Sequence, residues 1–157
     1  MTSIARTFIG AALVVVFVVL WGARTDRDVV GAQTPKTIKM TRIYTGTDGQ
    51  SHAEEMELKL TGTATEMFKA TGIQFRRTPP GTFSDWHVGP RRQFVITLSG
   101  RGEIGLSGGG TVELVPGRIE LIEDTTGKGH TTRAVGSEDR VSIAIPLADQ
   151  TIGAPLR

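Results

Sequence analysis

The chain has 157 residues, 38% of them hydrophobic and 22% charged, and carries a formal net charge of +2. That length suits one domain and that composition a folded one, which argues against a disordered chain. The basic residues are scattered, so no nucleic-acid face is expected, and the absence of cysteine excludes disulfides, zinc–thiolate centres and a cysteine nucleophile.

The first thirty-two residues read as an address. Residues 8–23 are apolar or small without interruption. As a helix at ~1.5 Å per residue they span roughly 24 Å, short of the ~30 Å hydrocarbon core of a bilayer. Arg6 precedes them, whereas Arg24 and Arg27 behind them are offset by Asp26 and Asp28. That asymmetry keeps the N-terminus inside and exports the remainder. Val30-Gly31-Ala32 before Gln33 offers a small-residue cleavage site. The expectation is a hydrophobic signal helix in residues 1–32 and an exported domain, periplasmic or secreted, in residues 33–157. The alternative is an uncleaved inner-membrane anchor facing outward, with membrane contact through this segment alone.

Residues 36–46 then read as a strand, and "TDGQSH" as a turn. In "AEEMELKLTG", Met56, Leu58 and Leu60 alternate with charges, the period-2 pattern of a half-buried strand, although a short helix at 52–59 is a weaker option. Residues 66–78 are expected to form a strand stopped by Pro79-Pro80-Gly81. Short strands follow at 83–88, 93–99, 102–107, 111–115, 118–123, 130–135 and 140–146, separated by glycine and proline breaks. Regular short strands with no ten-residue amphipathic helix predict an all-β sandwich or barrel rather than a parallel βαβ sheet. "GRGEIG" at residues 100–105 therefore matches the dinucleotide-binding fingerprint only by accident, because "LSGGGT" behind it cannot open the helix that phosphate binding needs. "TGKGHT" at residues 126–131 likewise lacks the spacing of a phosphate-binding loop.

The chemistry-bearing stretch is "DWHVGPRRQFVITLSGRG", residues 85–102. Residues 75–146 resemble a cupin, a small β-barrel with two sequence motifs separated by a variable hairpin. His87 sits at the first histidine of the usual first motif, Gly89 at its second histidine, Gln93 at its glutamate and Gly100 at its closing glycine. Pro116-Gly117 opens the second motif, Arg118 stands in place of its aspartate, and Gly127-x-x-His130 ends it. The intervening loop is about two residues longer than the pattern and lacks its proline.

The resemblance implies a cupin-type jelly roll, or double-stranded β-helix, with extra N-terminal strands. It also implies a pocket where His87 and His130 converge with Gln93. In the family such a site holds Fe, Mn, Ni, Cu or Zn, which makes His87, Gln93 and His130 the metal-ligand set. Without an anionic carboxylate, that set holds a dication weakly. His52 is a further candidate ligand-binding residue if the N-terminal strand packs at the barrel mouth, and Glu123 or Asp124 could lean in. Metal-free acid–base work by His87 or His130 is the catalytic alternative.

The flanking residues carry plainer expectations. The Arg76-Arg77 and Arg91-Arg92 pairs are expected on solvated edges, with Arg91 and Arg92 available to meet an anion at the rim. Trp86 is expected outside the barrel, and Asp124 to bond nearby backbone in a turn. With Gln93 pointing inward, the outer stripe Phe94, Ile96 and Leu98 must be covered by N-terminal strands or a second copy, which predicts a homodimer. Three functions follow from the resemblance: a small-molecule-binding cupin with a weakly held metal or none; a metal-dependent dioxygenase, lyase or isomerase; or a structural, partner-binding barrel.

Overall fold

A computed structural model of the chain describes residues 37–148 and the strand Ala154–Pro155. The expected signal helix and its cleavage site lie outside the described residues.

Among the described residues the chain is all β. In order come β1 (Ile38–Thr45), β2 (Ser51–Leu58), β3 (Gln74–Thr78), β4 (Phe83–His87), β5 (Gln93–Ser99), β6 (Arg101–Leu106), β7 (Thr111–Leu114), β8 (Ile119–Glu123), β9 (His130–Val135), β10 (Arg140–Pro146) and β11 (Ala154–Pro155). From β3 onward the pairing is nested and antiparallel: β6 with β7, β5 with β8, β4 with β9, β3 with β10. This is one long hairpin folded back on itself, its tip at the glycine-rich turn before Thr111. Its strands are shared between a seven-stranded sheet ordered β11-β2-β1-β8-β5-β10-β3 and a four-stranded sheet ordered β4-β9-β6-β7. Nested pairing across two facing sheets is jelly-roll architecture. The N-terminal strands widen the larger sheet, β1 running parallel to β8 and antiparallel to β2.

Period-2 patterning sets which side chains meet between the sheets. Ile43, Val95, Ile122 and Ala144 face inward from the large sheet and pack against Ile104, Leu106, Val112 and Leu114 of the small one. The opposite face of the large sheet builds a second cluster from Met40, Met56, Leu58, Phe94, Leu121 and Leu147, with Phe68 packed against it. Phe68 meets Phe94 edge-on at 5.2 Å. β8 is thus apolar in both directions, Leu121 outward and Ile122 inward, as a strand covered on both faces requires.

One weaker option falls away and one expectation changes. Residues 52–59 are not helical: β2 pairs with β1 along its whole length, and that ladder overrides the helical option. Residues 66–73 are irregular, and the strand begins only at Gln74, where β10 supplies a partner. The irregular segment is instead pinned at single points, Thr71 N–H donating to the Pro146 carbonyl and Ala148 N–H to that of Lys69. The outer stripe divides: Phe94 is covered by the N-terminal strands and Phe68, whereas Leu98 remains 46% exposed.

Candidate functional site

His87 closes β4 and His130 opens β9, and the two are register partners across that antiparallel pair. Directly opposed residues project to the same side of a sheet. Their rings accordingly approach to 4.5 Å between centroids, tilted by 58°. Gly129 makes the approach feasible. It holds φ at +72°, and a Cβ there would strike the His87 carbonyl oxygen, so the strand entering His130 lies against the one leaving His87.

Each imidazole is fixed through Nδ1. His87 Nδ1 lies 2.7 Å from the Asp85 carbonyl oxygen, which only accepts, so Nδ1 carries the proton. His130 Nδ1 lies 2.5 Å from Asp124 Oδ2, and the same oxygen accepts from Ser51 Oγ at 2.8 Å. Asp124, Ser51 and His130 are all buried. In the neutral rings Nε2 is then the unprotonated nitrogen, and no hydrogen bond from the described residues occupies it in either ring. Carboxylate and carbonyl partners of this kind fix the tautomer and direction of an imidazole ring.

His87 and His130 line a cavity of about 100 Å³ with Gln93, Arg76 and Arg140, backed by Val95, Ile104, Leu114 and Ile122. Gln93 is buried at the start of β5 and reaches this space from the large sheet, while the histidines reach it from the small one. The three residues that the cupin motifs single out thus share one cavity.

Other candidates lie elsewhere or act differently. His52 does not line the cavity. Its Nε2 sits 3.0 Å from both oxygens of Asp48, and its ring packs near Tyr44, because β2 places it opposite Tyr44 at the β1–β2 turn. Asp124 is a buried anchor for His130 rather than a turn residue bonding local backbone. Glu123 is taken by Arg42 at 2.5 Å and by Arg92, so neither Glu123 nor Arg92 is left for a ligand at the rim. Arg91 is exposed and lines an outer groove that meets the cavity at Arg76, Pro90 and Gln93. Trp86 is 46% exposed, with Lys128 Nζ 4.8 Å from its ring centroid.

Arg76 and Arg140 are the functional candidates that motif reading missed. Arg76 looked like half of a solvated pair, yet in β3 the period of two sends Arg77 outward to Asp139 and Arg76 inward to the cavity. Arg140 opens β10 and is buried, its Nε and one terminal nitrogen donating to Thr97 Oγ1 at 3.1 and 2.9 Å. Alternation after the β3 turn was the signal available for Arg76; nothing local marked Arg140.

The donor set fits a divalent metal poorly. Two imidazoles and an amide bring no anionic ligand, and two guanidinium cations line the same space. At the second-histidine position, Gly89 contributes no side chain, and a Cβ there would come within 2.7 Å of Ile122 Cγ2, so the space of the missing ligand is filled. What the arrangement offers chemically is two Nε2 atoms that can accept a hydrogen bond from a ligand, beside positive charge and an apolar wall.

No family model matches the chain, and no curated protein matches it. Among solved structures, a cupin 2 conserved barrel domain protein from Rhodopseudomonas palustris is 14% identical with a TM-score of 0.38, covering 78% of this chain and 81% of its own. The Cnp3 cupin domain of Schizosaccharomyces pombe is 10% identical with a TM-score of 0.39, covering 71% of this chain and 84% of its own. A conserved protein of unknown function from Streptococcus pyogenes is 19% identical with a TM-score of 0.39, covering 54% of this chain and 72% of its own. The solved structures to which this chain is similar thus include two cupin domains.

Proposed function

We propose that this chain is an exported cupin-type barrel that binds a small molecule in the cavity between its sheets, with His87, Gln93 and His130 as polar contacts. The observation that carries the reading is the opposed imidazole pair, each ring tied at Nδ1 and each lining one cavity. A buried aspartate and serine spent on orienting one ring suit a site where ring direction matters. Export rests on the apolar stretch at residues 8–23.

A metal-dependent enzyme is the second reading, favoured only by the free Nε2 atoms. One experiment separates the readings: metal content of the untagged protein, with a thermal-shift ligand screen, on the native chain, His87→Ala and His130→Ala. A ligand-dependent shift lost in both variants, without stoichiometric metal, supports small-molecule binding. Stoichiometric metal lost in both moves the protein to the enzyme class. Neither response leaves a structural barrel.

The reading extends to a homodimer. Phe75, Ile143 and Ile96 are register neighbours on the outer face of β3, β10 and β5, and Phe75 is 68% exposed at the sheet edge. An apolar row of this kind is suited to burial against a second copy.

A further inference from the structure

The carboxylates around the cavity are engaged or set back. Glu123 serves Arg42 and Arg92, Asp139 serves Arg77, and Asp124 holds His130 and Ser51. Among the described residues Arg76 and Arg140 have only neutral partners. Arg76 donates from Nε to Gln74 Oε1 at 2.9 Å and from a terminal nitrogen to Gln93 Oε1 at 3.4 Å. Arg140 donates only to Thr97 Oγ1. Among the described residues no carboxylate lies within ion-pair range of either guanidinium.

The electrostatics agree. Burial lowers the pKa of both groups, and each also feels a like charge, Arg76 from Arg91 and Arg140 from Arg76. Glu120 is the acid that acts on Arg140, but desolvation pushes its carboxyl up to about 8, so near neutrality it is mostly uncharged. Uncompensated positive charge beside an apolar wall is costly, and an anion relieves it.

We propose that this cavity takes the carboxylate of a small acid between Arg76 and Arg140, with a short apolar body against Val95, Ile104, Leu114 and Ile122. The proposal rests on the cavity being a ligand pocket and names that ligand's chemistry. Guanidinium groups match a planar carboxylate with paired N–H donors. At about 100 Å³ the cavity is well below the ~300–1,000 Å³ of pockets for drug-sized ligands, which limits the acid to a small one. Inorganic phosphate would leave the four aliphatic side chains unused.

The test is an NMR titration of the full-length ¹⁵N-labelled chain with sodium butyrate, butyramide and sodium phosphate at matched ionic strength, following the backbone amides of Gln93, Val95, Ile104 and Thr132. Butyrate is expected to bind at least about tenfold tighter than butyramide, a difference of about 1.4 kcal/mol. Arg76→Gln, on an edge strand, is expected to remove that preference, with butyrate falling to within about twofold of butyramide. Arg140→Lys, which keeps the charge at a buried position, is expected to weaken butyrate less than Arg76→Gln does. Equal binding of butyrate and butyramide, both lost in His87→Ala, would keep the pocket and overturn the acid. Phosphate binding tighter than butyrate would overturn the apolar body. No shift at these amides with any of the three probes would overturn the proposal, and the thermal-shift screen then decides whether the pocket reading falls with it.

Discussion

His87 and His130 face each other across the β4–β9 pair with ring centroids 4.5 Å apart, although they lie in separate motifs of the sequence. The contact is a product of register. A slip of one residue in that pairing would send one ring to the other side of the sheet. What holds the register therefore bears on the site, and it can be tested apart from any ligand.

Gly129 is the first lever. Gly129→Ala must place a Cβ on the His87 carbonyl oxygen at a φ of +72°. Gly109 also has positive φ, +99°, but opens onto free space. Gly109→Ala is expected to cost about 1 kcal/mol from backbone conformation alone, and Gly129→Ala at least about twice that. Urea denaturation measures both. Equal losses would mean that the close approach at Gly129 contributes nothing to stability.

Asp124 is the second. Its Oδ2 accepts from Ser51 and holds His130, and its Oδ1 is buried without a partner. Asp124→Asn is expected to destabilise by about 2–3 kcal/mol and Ser51→Ala by about 1 kcal/mol, in line with hydrogen bonds to a charged group and the loss of one donor. Asp124→Asn should also change the tautomer of His130, read from the ¹⁵N shifts of its ring, while His87 keeps Nδ1–H. An unchanged His130 ring would remove the orienting role assigned to Asp124.

Much of this was legible in the sequence, for identifiable reasons. Glycine and proline breaks delimited nearly every strand from β4 to β10, and alternation in β2 outweighed its helical option. The motif spacing placed His87, Gln93 and His130 because a nested hairpin converts fixed separations into fixed positions. His52 was a candidate only on condition that the N-terminal strand packs at the barrel mouth, which sequence spacing does not decide; it sits instead against Asp48 and Tyr44. Strand alternation was the one local sign for Arg76, whereas the roles of Arg140 and Asp124 rest on partners far along the chain, Thr97 for the one and Ser51 for the other, which no local pattern marks.

Glu120 supplies a pH dependence. Its side chain is fully buried in β8, and among the described residues neither oxygen has a hydrogen-bond partner. Desolvation raises its carboxyl from 4.5 to about 8, against the opposing pull of Arg140 and Arg118. The folded chain thus holds this proton more tightly than the unfolded one. The contribution to stability is full below pH 4.5 and is lost as pH rises through the window to about 8. Glu120→Gln is expected to remove that loss, so the variant should gain on the native chain, by up to a few kcal/mol, between about pH 5 and about pH 9. Paired urea denaturation at the two pH values measures it. A stability difference between variant and native chain that does not change with pH would contradict the buried-acid account.

The dimer proposal has a direct readout. Light scattering at working concentration should show twice the monomer mass for the native chain, and Phe75→Glu should shift it to monomer with an unchanged melting profile for the β-core. A strictly monomeric native chain would leave the outer row of Phe75, Ile143 and Ile96 without a second copy.

The central claim is that a small molecule occupies the space that His87 and His130 share. The chain has three histidines, so ¹⁵N-histidine labelling gives three resolvable rings. On saturation with the strongest compound from the ligand screen, the ring signals of His87 and His130 should move together along one binding curve while His52, held by Asp48, stays in place. Movement of His52 alone, or of only one of the other two, would contradict a shared site.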